Sequence, residues 1–163
     1  MTVLDRATTP VLLQVDAILA RISGRQALGE VCRFLRHSFP HYPWVGVYRV
    51  EGSDLVLDAW DGAQATEHVR IPIGRGICGM AVRERRSVIV DDVRADPNYL
   101  ACFLETRAEI VVPIYHEGEI VGEIDIDGNS VKAFDASDRR FLEKVAAKLG
   151  AAVERSGAEL PLG

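Results

Sequence analysis

The chain is short of cysteine, of positive charge and of long apolar runs. Its three cysteines are too few for a disulfide scaffold, and none has the paired C-x-x-C spacing of a zinc site. The expected compartment is the cytoplasm, where thiols stay reduced unless they are working. Lys and Arg number 19 against 24 Asp and Glu, for a net charge of −5. That balance argues against nucleic acid or an anionic membrane as main partner, because both need clustered basic residues. Arg83, Arg85 and Arg86 form a small basic cluster, read as a solvated helix end. No apolar run is long enough to span a bilayer, and the N-terminus shows no clean signal-peptide core.

What is present describes one folded unit. Hydrophobic residues are 48% and charged residues 26% of 163, which suits a globular chain with a core of its own. Residues 1–163 are expected to form a single domain: N-terminal helices within 1–40, a sheet and pocket over 44–128, and a C-terminal helix over 135–155. Apolar residues recur at helical spacing over Pro10–Arg21, and again over Gln26–Phe39, where Cys32 joins the apolar stripe as a buried, inert residue. After Pro40 and Pro43 the period changes. Trp44–Val50 and Asp54–Trp60 read as a hairpin, and His68–Ile73 as extended. Ile77–Arg86 reads as a short helix and Ser87–Asp91 as a strand. Arg94–Thr106 is a loop with one helical turn expected after Pro97. Glu109–His116 and Glu119–Asp127 form a second hairpin around Glu117–Gly118, and Pro113 suggests an edge position or a bulge. Asp135 or Ser137 caps the last helix. This order predicts an α+β domain. Its central antiparallel sheet carries the terminal helices on one face and pocket-forming loops and short helices on the other.

Two cysteines stand in unusual settings. Cys78 lies in IPIGRGICGMAV (71–82), at a helix start just after a glycine bend and three residues past Arg75. A helix N-terminus and a cation both lower a thiol's pKa, so Cys78 is expected to be activated, or else a small residue packed among glycines. Cys102 lies in NYLACFLET (98–106), either a reactive thiol or an ordinary loop cysteine. Asp125 and Asp127 share strand parity and hence a face, while Ile124 and Ile126 face the helices. Side by side, two carboxylates repel, and one holds a proton near neutrality; the plainer reading is a strand running into an Asp-Gly turn. Glu109 opens an apolar strand. Trp44 and Tyr48 also share a face, as core or as the wall of a ligand cage. His68 and His116 read singly as surface or satisfied histidines. The carboxylate strand end is expected to meet Cys78 and Cys102 at the pocket.

Together these segments resemble a GAF-type domain, and more narrowly the free methionine-(R)-sulfoxide reductase family. The resemblance runs from about Trp44 to Phe134: WVGVY, IPIGRGICG, LACFLET, EIVVPI and GEIDID. It implies reduction of the free amino acid, with Cys102 as attacking thiol. It also implies Glu109, Asp125 and Asp127 as the carboxylates that hold substrate and assist protonation, and Trp44 and Tyr48 as the wall near its methyl group. No metal or organic cofactor is implied. Many members carry a further cysteine ten residues before that of GRGxCG, commonly the resolving thiol; here that position is His68. Resolution would then fall to Cys78 or an external thiol, with a thioredoxin-type reductant or small thiol restoring the enzyme. Two alternatives stay open: a non-catalytic GAF sensor of a small molecule that forms a homodimer through its terminal helices, and a thiol redox switch.

Overall fold

The structure, a computed structural model, describes residues 3–101 and 103–159. Helices α1 (Val3–Arg21) and α2 (Gly24–Ser38) precede strands β1 (Trp44–Glu51), β2 (Asp54–Gly62) and β3 (Arg70–Pro72). Helix α3 (Gly76–Glu84), strand β4 (Val88–Val90) and a short 3-10 turn (Val93–Ala95) follow, then β5 (Ala108–His116), β6 (Glu119–Gly128) and α4 (Ala136–Gly157). The strands form one antiparallel sheet in the order β3-β2-β1-β6-β5-β4. This is the α+β arrangement expected.

Each face of the sheet has its own apolar cluster. Val45 and Val47 of β1, Ile110, Val112 and Ile114 of β5, and Ile124 and Ile126 of β6 pack under the terminal helices. Those helices contribute Val15 and Ile18, then Leu28, Val31, Cys32 and Leu35, then Phe141, Leu142, Val145 and Leu149. Cys32 is wholly buried and its thiol pKa is pushed far up by that burial, as an inert core residue requires. The opposite face packs against α3 through Ile77, Ala81 and Val82.

Local chemistry explains where elements begin and end. Asp135 caps α4, accepting from Ser137 N at 2.9 Å and Asp138 N at 3.2 Å, while Asp138 Oδ2 accepts from Asp135 N at 3.0 Å. Such reciprocal bonds satisfy donors that a helix start leaves bare. Asp138 Oδ1 also receives Tyr42 OH at 2.6 Å, tying the helix to the segment that leads into β1. The β5–β6 turn places Glu117 at φ 51° and Gly118 at φ 83°, the left-handed pair that a two-residue hairpin turn demands.

Three boundaries depart from expectation. Helix α1 starts at Val3, so Pro10 lies inside it; its ring suits helical φ although its nitrogen donates no bond. The helical turn of the 94–106 segment precedes Pro97, because the Asp92 side chain accepts from Arg94 N at 3.1 Å and nucleates it there. The stretch 68–73 narrows to β3, which pairs with β2 only over Asp54–Val56. Pro113 sits in an interior strand, but three-residue β4 pairs only as far as Val111. The missing N–H of Pro113 therefore falls beyond the β4 ladder.

Candidate functional site

The site lies on the sheet face away from the terminal helices. Strand parity alone puts Glu123, Asp125 and Asp127 of β6 on that face, and the register brings in the rest. Asp127 stands opposite Trp44 on one side and Glu109 on the other; Asp125 stands opposite Gly46 and Val111; Glu123 stands opposite Tyr48. Glu109, Glu123, Asp125 and Asp127 are each at most 6% exposed. Glycine at 46 leaves room for the Trp44 ring, which an added Cβ would meet at 2.5 Å; Gly62 of β2 cradles the same ring. Trp44 is fixed further by stacking on Trp60 at 6.2 Å between centroids and by Nε1 donating to Gln64 O at 3.1 Å. Tyr48 is fully buried and donates its hydroxyl to His68 O at 2.8 Å.

Cys78 reaches this face from the first turn of α3. Its thiol donates to Glu109 Oε1 at 3.8 Å. Glu123 lies near enough to act on it as well, although neither Glu123 oxygen has a hydrogen-bond partner. The expected activation of Cys78 is overturned. Burial pushes its pKa well up, and the charges of Asp125, Glu123 and Glu109 push the same way. Desolvation and three neighbouring carboxylates outweigh one helix N-terminus; Arg75 is exposed and caps α3 without a side-chain bond.

The acids are raised too. Burial lifts Glu123 and Asp127 well above the usual carboxylate range, and Asp125's charge adds to both; the nearby Cys78 thiol partly offsets the rise at Glu123. Burial also lifts Asp125, partly offset by hydrogen bonds from Glu109 and Cys78. Two carboxyls that hydrogen-bond each other share a proton. Burial therefore favours the protonated form across the set, which is the form a general acid needs.

Two cavities flank this acid row. One, of about 210 Å³, is lined by Trp44, Phe103, Thr106 and Asp127 among others. The other, of about 10 Å³, lies between Tyr48, Cys78, Glu109, Asp125 and Leu100 and has room for about one water.

The structure thus brings together Trp44, Tyr48, Cys78, Glu109, Asp125 and Asp127. Cys102 lies outside the described residues. Next to it, the Ala101 carbonyl is bonded by His68 Nε2 at 2.8 Å, and Phe103 packs on Trp44 at 5.6 Å. Glu123, Phe103 and Thr106 were not anticipated. Glu123 was open to detection, since GEIDID alternates three acids on one face; Phe103 and Thr106 carried no periodic signal.

The GAF domain family matches residues 24–154. A solved type II free methionine-R-sulfoxide reductase from Thermoplasma acidophilum is 40% identical, with TM-score 0.77, covering 80% of this chain and 92% of that one. The chain belongs to the GAF family, in the group of the free methionine-R-sulfoxide reductases. A second structure, the Neisseria meningitidis reductase in complex with its substrate, is 33% identical, with TM-score 0.84 and coverage of 94% and 92%. The free methionine-R-sulfoxide reductase of Saccharomyces cerevisiae is 39% identical over 107 residues, 63% of this GAF protein and 58% of the yeast one. Among the described residues no helix is long and apolar enough to cross a membrane.

Proposed function

We propose that this GAF domain reduces free methionine-(R)-sulfoxide to methionine. The observation that carries the reading is the row of buried acids beside a caged tryptophan, in a fold shared at 33–40% identity with reductases of that name. The substrate's ammonium pairs with Glu109, Asp125 and Asp127, and its methyl group lies against Trp44 and Tyr48. The Cys102 thiolate attacks the sulfoxide sulfur while a protonated Asp125 or Asp127 donates to the oxygen. The OH then passes to the Cys102 sulfur as the S–O bond and the newly formed S–S bond break, so methionine leaves and Cys102 carries the oxygen as a sulfenic acid. A second thiol displaces water to form a disulfide, which a thioredoxin-type reductant or small thiol returns to two thiols. Cys78 is buried and its thiolate is disfavoured, which supports an external thiol as the resolving partner.

The test is methionine release from each sulfoxide epimer, with dithiothreitol and with thioredoxin. Cys102→Ser should abolish release from the R epimer, whereas Cys32→Ser should leave it intact. Retained turnover in Cys78→Ser supports the external thiol; one stoichiometric reduction without turnover would assign resolution to Cys78. Full activity in Cys102→Ser would overturn the assignment.

A further inference from the structure

Cys78 Sγ, one oxygen of Glu109 and one of Asp125 lie within 4.8 Å of one another, and all three side chains are buried. They come from α3, β5 and β6, so no sequence spacing announces them. Beside the thiol stands Glu123, wholly buried and with both oxygens unpartnered; Asp125 Oδ1 is buried and unpartnered as well. The charges that act on Cys78, Glu123 and Asp127 are those of other acids. Protons can neutralise such a set, and so can a cation, which inverts the local balance by favouring every ionised form at once.

We propose that Cys78, Glu109 and Asp125, backed by Glu123, bind one divalent cation of the zinc class. Zinc bonds of about 2.3 Å to sulfur and about 2.1 Å to oxygen, at a tetrahedral angle, put the two ligand atoms about 3.6 Å apart. Cys78 Sγ and Glu109 Oε1 are 3.8 Å apart, so this pair needs to move only by tenths of an ångström, and the Asp125 oxygen lies within 4.8 Å of both. One sulfur among carboxylates selects against magnesium and calcium, which take oxygen only, and for a borderline-soft ion. The cavity's roughly 10 Å³ admits one ion stripped of most of its water. Its partly exposed lining residues are Gly76 and Leu100, which mark the way in. On binding, the Cys78 proton leaves and the thiolate becomes a ligand. Because Glu109 and Asp125 would then face the metal, zinc should block the ammonium subsite. That consequence rests on the reductase reading; the site itself does not.

The experiment adds Co(II), then Zn(II), to the reduced full chain without substrate. The expected result is one Co(II) per chain with a thiolate-to-metal charge-transfer band that Zn(II) abolishes. The band should persist in Cys102→Ser and vanish in Cys78→Ser. Glu109→Gln, Asp125→Asn and Glu123→Gln should each weaken binding by about tenfold or more, and they keep the test alive if Cys78→Ser does not fold. No band in the wild type, a band surviving in Cys78→Ser, or a band lost in Cys102→Ser would each overturn the proposal. Zinc inhibition of methionine release, relieved by a chelator, is read separately. A chain that binds Co(II) through Cys78 but reduces nothing would sink the reductase reading and leave the metal site standing.

Discussion

Trp44 shows how a single side chain depends on what its neighbours lack. Glycine at 46 and 62 gives the indole a bed, and Trp60, Phe103 and Gln64 hold its remaining sides. Gly46→Ala should therefore push the ring from its place, since the new methyl would sit 2.5 Å from it. The expected cost is about 1–3 kcal/mol, checked by urea denaturation, with a shift in tryptophan emission and a raised KM for the sulfoxide. Cys78 makes the complementary point. A thiol at a helix start reads as activated, yet burial among acids reverses the sign. It should resist iodoacetamide at neutral pH in the native protein and react only on unfolding; rapid native alkylation assigned to Cys78 by mass spectrometry would contradict this.

Helix α4 holds its place through its first turn. Asp135 satisfies two backbone donors there, and Asp138 joins the same turn to Tyr42. Asp135→Ala should lower stability by about 1 kcal/mol, seen as a lower Tm with an unchanged fold by circular dichroism. Further along the helix, Leu142 is wholly buried in the cluster beneath the sheet. Leu142→Ala should cost about 2–5 kcal/mol, because the cavity left in a packed core collapses only partly. These elements were legible beforehand: the 3.6-residue period marks α2 and α4, and two-residue turns mark both hairpins. The 3-10 turn was not, because whether Asp92 or Pro97 nucleates depends on one side-chain bond.

Over the whole molecule, the buried acids make stability depend on pH in a defined direction. Glu123, Asp125 and Asp127 have raised pKa values when folded. From about pH 4, the unfolded chain's carboxylates release protons that the folded chain still holds. Stability from these groups therefore falls as pH rises above about 4, until the folded pKa values are passed. Cys78, also raised, adds the same trend above its ordinary range. Glu123→Gln removes one such group, so its stability relative to wild type should grow as pH climbs from about 5 to about 8. A constant difference across urea titrations at several pH values would show that Glu123 ionises freely.

Periodicity and parity by themselves determined the element order, the two faces of the sheet and the side on which Asp125 and Asp127 lie, because both repeats are local properties of the backbone. The motifs around Trp44, Cys78, Cys102, Glu109 and Asp125 determined the family. Only the tertiary structure decided the rest. It joined Cys78 of α3 to Glu109 of β5 and Asp125 of β6, added Glu123, and turned an expected low thiol pKa into a high one. Each of these follows from burial and from distances between strands far apart in the chain, and dielectric environment is a property of the packed whole.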